Sequence, residues 1–154
     1  MALTRRLARP LMASIFISGG LSVLRDPHSR VPAAGKVVGP LSDRVALPGE
    51  TADIVRANAA VQVGAGVLFA LGRMPRLAAL VLLGSLVPTT IAGHRFWEES
   101  APEKKQAQQV HFFKNLAMIG GLLLAVFDTE GSPSLSYRAR RRASRAAKAL
   151  PIGS

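Results

Sequence analysis

The sequence predicts an all-α fold, an integral membrane four-helix bundle with both the N- and C-termini cytoplasmic. Two observations predict it. Four apolar stretches lie at residues 10–24, 54–72, 77–93 and 110–127, and the segments around them alternate between high and low Lys and Arg content. At 154 residues the chain has the size of one domain, and 49% apolar residues is a high share beside 20 basic ones. Segregation reconciles those numbers, because the charge gathers in short segments and leaves the long runs nearly free of it.

A hydrocarbon core of roughly 30 Å needs about 20 helical residues. The first stretch is the shortest, with fifteen residues between Arg9 and Arg25, so it spans only if both arginines reach opposite headgroup levels. Its basic start, Thr4-Arg5-Arg6-Leu7-Ala8-Arg9, also fits a secretory signal. Arg25-Asp26-Pro27 follows the run directly and supplies a poor cleavage site, which favours a retained first helix. The first connection, 25–53, is punctuated by Pro27, Pro32, Pro40 and Pro48. It is expected to be mostly irregular, with room for a short surface helix in its middle. The second stretch spans if Arg56 snorkels, and the fourth if Lys114 does the same. The third contains no ionisable residue. Pro88 is expected to kink it and free the Gly84 carbonyl. Small residues at Ser14-xxx-Ser18, Gly19-Gly20, Ala60-xxx-Gly64 and Gly120-Gly121 suit close helix contact in lipid. Residues 1–130 thus form the membrane domain, followed by a basic tail at 131–154.

Orientation follows from the flanking charges. Arg5, Arg6 and Arg9, then Arg73 and Arg76, then the six basic residues from Arg138 to Lys148 fall on one side of the predicted bundle. The other side has fewer, diluted by Asp26, Asp43, Glu50, Glu98, Glu99 and Glu103. That places the ends inside, the two longer connections outside, and the chain as multi-pass in the plasma membrane. A net charge of +11 is then an orientation signal. With no aromatic interleaving among the tail arginines it argues against nucleic acid as a partner and for membrane lipids.

The same arrangement collects the unusual polar side chains at the outer end. Arg56 enters on the second helix, His94 and Trp97 close the third, and His111, Lys114 and Asn115 open the fourth. His111, Lys114 and Asn115 share one helix face by their spacing of three and four. Ionisable groups at membrane depth face a bundle interior or a wet cavity. An outward polar pocket there would offer hydrogen-bond donors to a quinone headgroup, and a His or Lys supplies protons when such a ring is reduced. The competing explanation is that Arg56 and Lys114 snorkel while Phe96-Trp97 and Phe112-Phe113 form an aromatic belt. His94, His111 and Glu98 or Glu99 are the residue types of a zinc or iron site, but they lack a tight spacing motif and no metal is expected. Without cysteine, disulfides and thiolate chemistry are excluded. No phosphate loop or serine-nucleophile motif occurs. Asp128, at the inner end of the last helix, carries no special expectation.

In order along the chain, four segments resemble the DoxX family of small four-helix membrane proteins. They are Arg9-Pro10-Leu11-Met12-Ala13-Ser14-Ile15-Phe16-Ile17-Ser18-Gly19-Gly20, then Gly64-x-Gly66-x-Leu68-x-x-x-Leu71-Gly72-x-x-x-Arg76-Leu77-Ala78-Ala79-Leu80, then His94-x-Phe96-Trp97, then Lys114-Asn115-Leu116-Ala117-Met118-Ile119-Gly120-Gly121. The resemblance covers roughly 9–127 and implies association with membrane redox work, with a quinone as the implied cofactor class. It also implies partners among other membrane subunits of a respiratory or redox complex. His94, Trp97, Lys114 and Asn115 match its signatures and are carried over as candidate functional positions; Arg56 and His111 join them from the polar-cluster argument alone. The rival expectation is a non-catalytic accessory or assembly subunit of a respiratory-chain membrane complex. Whether the chain is an enzyme is left open, a subunit being favoured over a stand-alone catalyst.

Overall fold

A computed structural model describes residues 2–42 and 49–128, whose regular structure is entirely helical. Five α-helices follow one another: α1 Ala2–Arg25, α2 Val31–Ser42, α3 Thr51–Ala70, α4 Pro75–Gly93 and α5 Pro102–Phe127. Helices α1, α3, α4 and α5 carry the four apolar stretches. The basic tail at 131–154 lies outside the described residues.

Two expectations need correction. The first helix is not a short span bounded by Arg9, since α1 begins at Ala2 and runs 24 residues through Pro10. At 1.5 Å per residue that is about 36 Å, ample for a bilayer core. Arg5, Arg6 and Arg9 belong to its first turns. The first connection is also more regular than its prolines suggest. Pro27 opens a 3-10 turn, Pro27–Arg30, and Pro32 sits in the first turn of α2, where a missing N–H costs nothing. Asp26 caps that turn by accepting from the Ser29 N–H at 3.3 Å. Helix α2 packs against both α3 and α4.

Leu3–Arg25, Pro75–Glu98 and Pro102–Phe127 are long and apolar enough to cross a membrane. Helix α3 is 20 residues long but falls short of them in apolarity, because Arg56, Asn58 and Gln62 dilute it. Asn58 and Gln62 are spent inside the bundle: Gln62 Nε2 donates to Ser85 Oγ at 2.9 Å, and Ser85 Oγ donates to Asn58 Oδ1 at 2.7 Å.

The core joins Ala13 and Phe16 of α1, Ala65 and Phe69 of α3, Ala78, Ala79, Leu82 and Leu86 of α4, and Leu122 of α5. The most extensive helix contact is between α1 and α3. A Cβ on Gly20 would stand 2.7 Å from Val63 Cγ2 and 2.9 Å from the Ala59 carbonyl; one on Gly66 would stand 2.9 Å from Ile17 Cγ1. Pairing Gly20 with 59–63 and Ala13 and Ile17 with Gly66 makes the two helices antiparallel. Of the small residues expected to make close contact, Gly20 and Gly121 do so and the others do not. Ser14, Ser18, Gly19, Ala60 and Gly64 are exposed, and Ser14 and Ser18 bond their own backbone carbonyls at Leu11 and Ile15. Of Gly120-Gly121 only Gly121 meets a neighbour, Met12 of α1.

Helix α4 continues unbroken through Pro88. Thr89 Oγ1 donates to the Ser85 and Leu86 carbonyls and Thr90 Oγ1 to the Leu86 carbonyl, adding donors where the proline removes one. The turn between α3 and α4 needs left-handed backbone at Gly72 (φ 67°) and Met74 (φ 48°). Pro75 then starts α4.

At this end the basic segments converge on one residue, Asp128. Arg5 Nε and Nη2 donate to Asp128 Oδ2 and Oδ1 at 2.7 and 2.9 Å, Arg9 Nη2 lies 3.9 Å from Oδ2, and Arg76 Nε donates to the Asp128 carbonyl at 2.7 Å. The start of α1, the start of α4 and the end of α5 are thereby tied together.

Candidate functional site

The opposite end is built by the last turn of α4, a 3-10 turn at Phe96–Glu98 and the first half of α5. Helix α4 closes at His94, whose backbone N–H donates to the Thr90 carbonyl at 3.0 Å. Helix α5 starts at Pro102, well before its apolar stretch, and this polar prefix brings His111 beside His94. The two imidazoles stack, with ring centroids 5.2 Å apart and planes 23° from parallel.

Their neighbours set their proton positions. His94 Nδ1 is 2.7 Å from Gln108 Oε1. An amide oxygen only accepts, so the proton sits on Nδ1 and leaves Nε2 of the neutral ring as an acceptor. Lys114 Nζ stands 3.5 Å from His111 Nδ1, a long contact in which the ammonium donates. That leaves the proton of a neutral His111 on Nε2. The stacked pair thus carries one acceptor and one donor among its Nε2 atoms.

Below the pair, a polar ladder descends between the helices. Asn115 Nδ2 donates to Thr90 Oγ1 at 3.0 Å, both side chains being buried, and Ser85 with Asn58 and Gln62 continues it toward α3. Among the described residues no buried side-chain nitrogen or oxygen lacks a partner.

Beside the pair lies an aromatic cluster. Phe96 meets Trp97 and Phe112 edge-on at 5.2 and 5.4 Å, and Trp97 meets Phe112 at 5.9 Å. Trp97 is exposed and packs with phenylalanines rather than on the histidines. Glu98 accepts from Arg95 Nη1 at 2.8 Å and from Lys36 Nζ at 2.9 Å, which straps α2 to the turn. Such exposed pairs contribute about 0–1 kcal/mol each.

The predicted residues are thus only partly united. His94, His111 and Lys114 form one contact group, and Asn115 lies beneath them through Thr90. Arg56 does not join them. It pairs with Asp53 on its own helix at 3.4 Å, and Asp53 also accepts from the Glu50 N–H at the start of α3. Among the described residues no three His, Cys, Asp or Glu side chains converge to hold a metal. The sequence reasoning missed Gln108, although it lies three residues before His111 on the same face. It also missed Thr90 and Ser85, hydroxyls that a hydropathy reading passes over, and Asp128.

The DoxX family profile matches residues 5–95, and the SURF4 family profile matches residues 52–141. The first match ends one residue after His94, so His111, Lys114 and Asn115 fall within the second alone. No curated protein and no solved structure matches the chain. A match over more than half of the residues, on a bundle with long apolar helices, makes this a multi-pass membrane protein that belongs to the DoxX family.

Proposed function

We propose that this chain works in membrane redox processes, offering a quinone- or lipid-like ligand a polar anchor at the outer face of the plasma membrane. Helices α1, α3, α4 and α5 all cross in this reading. Helix α3 lies antiparallel to α1 over most of its length and reaches α4 through a short turn, so it traverses the same depth. The positive-inside rule puts the end with Arg5, Arg9, Arg73 and Arg76 in the cytoplasm and the histidine end outside.

The observation that carries the ligand reading is the stacked His94–His111 pair, whose contacts with Gln108 and Lys114 assign the two rings opposite tautomers. A quinone carbonyl accepts a hydrogen bond and suits His111 Nε2–H, whereas a hydroquinone hydroxyl donates and suits His94 Nε2. Phe96, Trp97 and Phe112 supply aromatic surface beside them. The test is binding of a short-chain quinone to the purified protein in lipid nanodiscs. Saturable binding is expected, weakened about 3- to 10-fold in either His94→Ala or His111→Ala, the value of one net hydrogen bond. Affinities unchanged in both variants would remove the ligand site.

A second reading, the non-catalytic accessory subunit, is favoured by two observations. Among the described residues every buried side-chain polar atom already has a partner, and α5 exposes Leu116, Leu124 and Phe127. Co-purification with a respiratory complex in mild detergent supports it. A chain that migrates alone and binds quinone by itself rules it out.

A further inference from the structure

At the arginine end, away from the histidines, α3, α4 and their connecting turn line a groove of about 260 Å³. Val61, Gly64 and Leu68 of α3 form one wall, and Met74 of the connecting turn with Leu77 and Val81 of α4 form the other. The walls are apolar throughout. Each wall spans eight positions, 61–68 and 74–81, about 10 Å along the helix direction, reaching the turn itself. The volume lies just below the usual range for small-molecule sites, roughly 300–1,000 Å³, which suits a single hydrocarbon chain better than a substituted ring system.

Charge stands at the shallow end of this groove. Arg73 immediately precedes the wall residue Met74 and is exposed, with no ion pair among the described residues. Arg76 immediately precedes Leu77, and its Nε bonds a backbone carbonyl rather than a carboxylate, so its positive charge is not cancelled. Among the described residues Asp128 is the acidic side chain at this end, and it is already held by Arg5 and approached by Arg9. Counted over the described residues Arg5, Arg9, Arg73, Arg76 and Asp128, this end keeps a cationic excess.

We propose that this groove is a binding site for an anionic phospholipid, with one acyl chain between α3 and α4 and the phosphate at Arg73. Charge complementarity selects the occupant. A guanidinium matches phosphate geometry bidentately, and a basic side chain at the membrane surface favours an anionic headgroup by an amount equivalent to about five-fold in affinity. The site is independent of the histidine pair and stands or falls apart from it.

Gly64 makes the test clean, because a Cβ placed there meets nothing within 4 Å. Gly64→Leu therefore fills the groove without disturbing the α1–α3 contact. The full chain is purified in detergent and titrated with phosphatidylglycerol and, separately, phosphatidylcholine, and bound lipid is counted by native mass spectrometry. The expected result is preferential retention of phosphatidylglycerol. Arg73→Gln should reduce that preference about five-fold while leaving phosphatidylcholine unchanged, and Gly64→Leu should reduce retention of both lipids. Thermal unfolding checks that each variant is folded. Equal retention of the two lipids by the unmodified protein overturns the proposal, and so does unaltered retention in both folded variants.

Discussion

His94 and His111 are the same residue type at nearly the same depth, yet different neighbours give them opposite proton positions. Gln108 accepts from one ring and Lys114 donates to the other. Nitrogen-15 NMR of histidine-labelled protein above pH 8 should show the Nδ1–H form at His94 and the Nε2–H form at His111. In Gln108→Leu the His94 signal should move toward a mixture of the two forms; an unchanged spectrum contradicts the assigned roles. Asn115 illustrates the opposite lesson, that a buried hydrogen bond in a bundle has a small net value. Transmembrane side-chain bonds average about 0.6 kcal/mol, so Asn115→Leu should lower stability by about 0.5–1 kcal/mol in denaturant titration of the reconstituted protein. Asp128 merits the larger expectation, since it accepts a bidentate, half-buried guanidinium pair. Asp128→Asn should cost about 1–2 kcal/mol and increase proteolysis at the start of α1. The sequence concealed this residue's role because its partner Arg5 lies 123 positions away, and neither residue belongs to a local motif.

At the scale of elements, hydropathy located four helices and misjudged their ends for a physical reason. A run is cut where charge begins, but a helix does not stop there: α1 extends back to Ala2 and α5 begins at Pro102. The polar turns so omitted hold Arg5 and Gln108, each essential to one end of the bundle. Helix α2 is the short helix allowed for in the middle of the first connection, longer than its prolines suggest because Pro32 falls in its first turn, where no N–H is needed, and Pro40 only in its last. The small-residue contacts were foreseen only in part, because Ser14, Ser18, Gly19 and Gly20 offer small side chains on more than one face and spacing alone does not choose between them. The structure chooses Gly20 and Gly66. Gly66→Leu should force α1 from α3 at about 1–3 kcal/mol or more, read as a lower melting temperature in detergent. Gly19→Ala, whose Cβ meets nothing within 4 Å, should be neutral or stabilising. Equal effects of the two would contradict the α1–α3 register.

For the whole molecule, the charge alternation read from the sequence has a direct counterpart in three dimensions. Arg5, Arg9 and Arg76 are far apart along the chain and meet at one end around Asp128, while α2, the Phe96–Glu98 turn and the histidine pair occupy the other. The bundle and its polarity were legible because hydropathy and charge are properties of composition. The site was legible only in part, because His94, His111 and Lys114 converge through helix packing, whereas Arg56 is retained by Asp53. Which end faces outward is the claim on which the ligand reading rests, and the absence of cysteine makes it directly measurable. Single cysteines are placed at exposed Ser100, beside the histidine end, and at exposed Arg73, in the α3–α4 turn. They are probed with a membrane-impermeant maleimide in sealed, right-side-out vesicles. Ser100→Cys should label at once and Arg73→Cys only after permeabilisation; labelling in the reverse order, or of both in sealed vesicles, would contradict the orientation and the outward site with it.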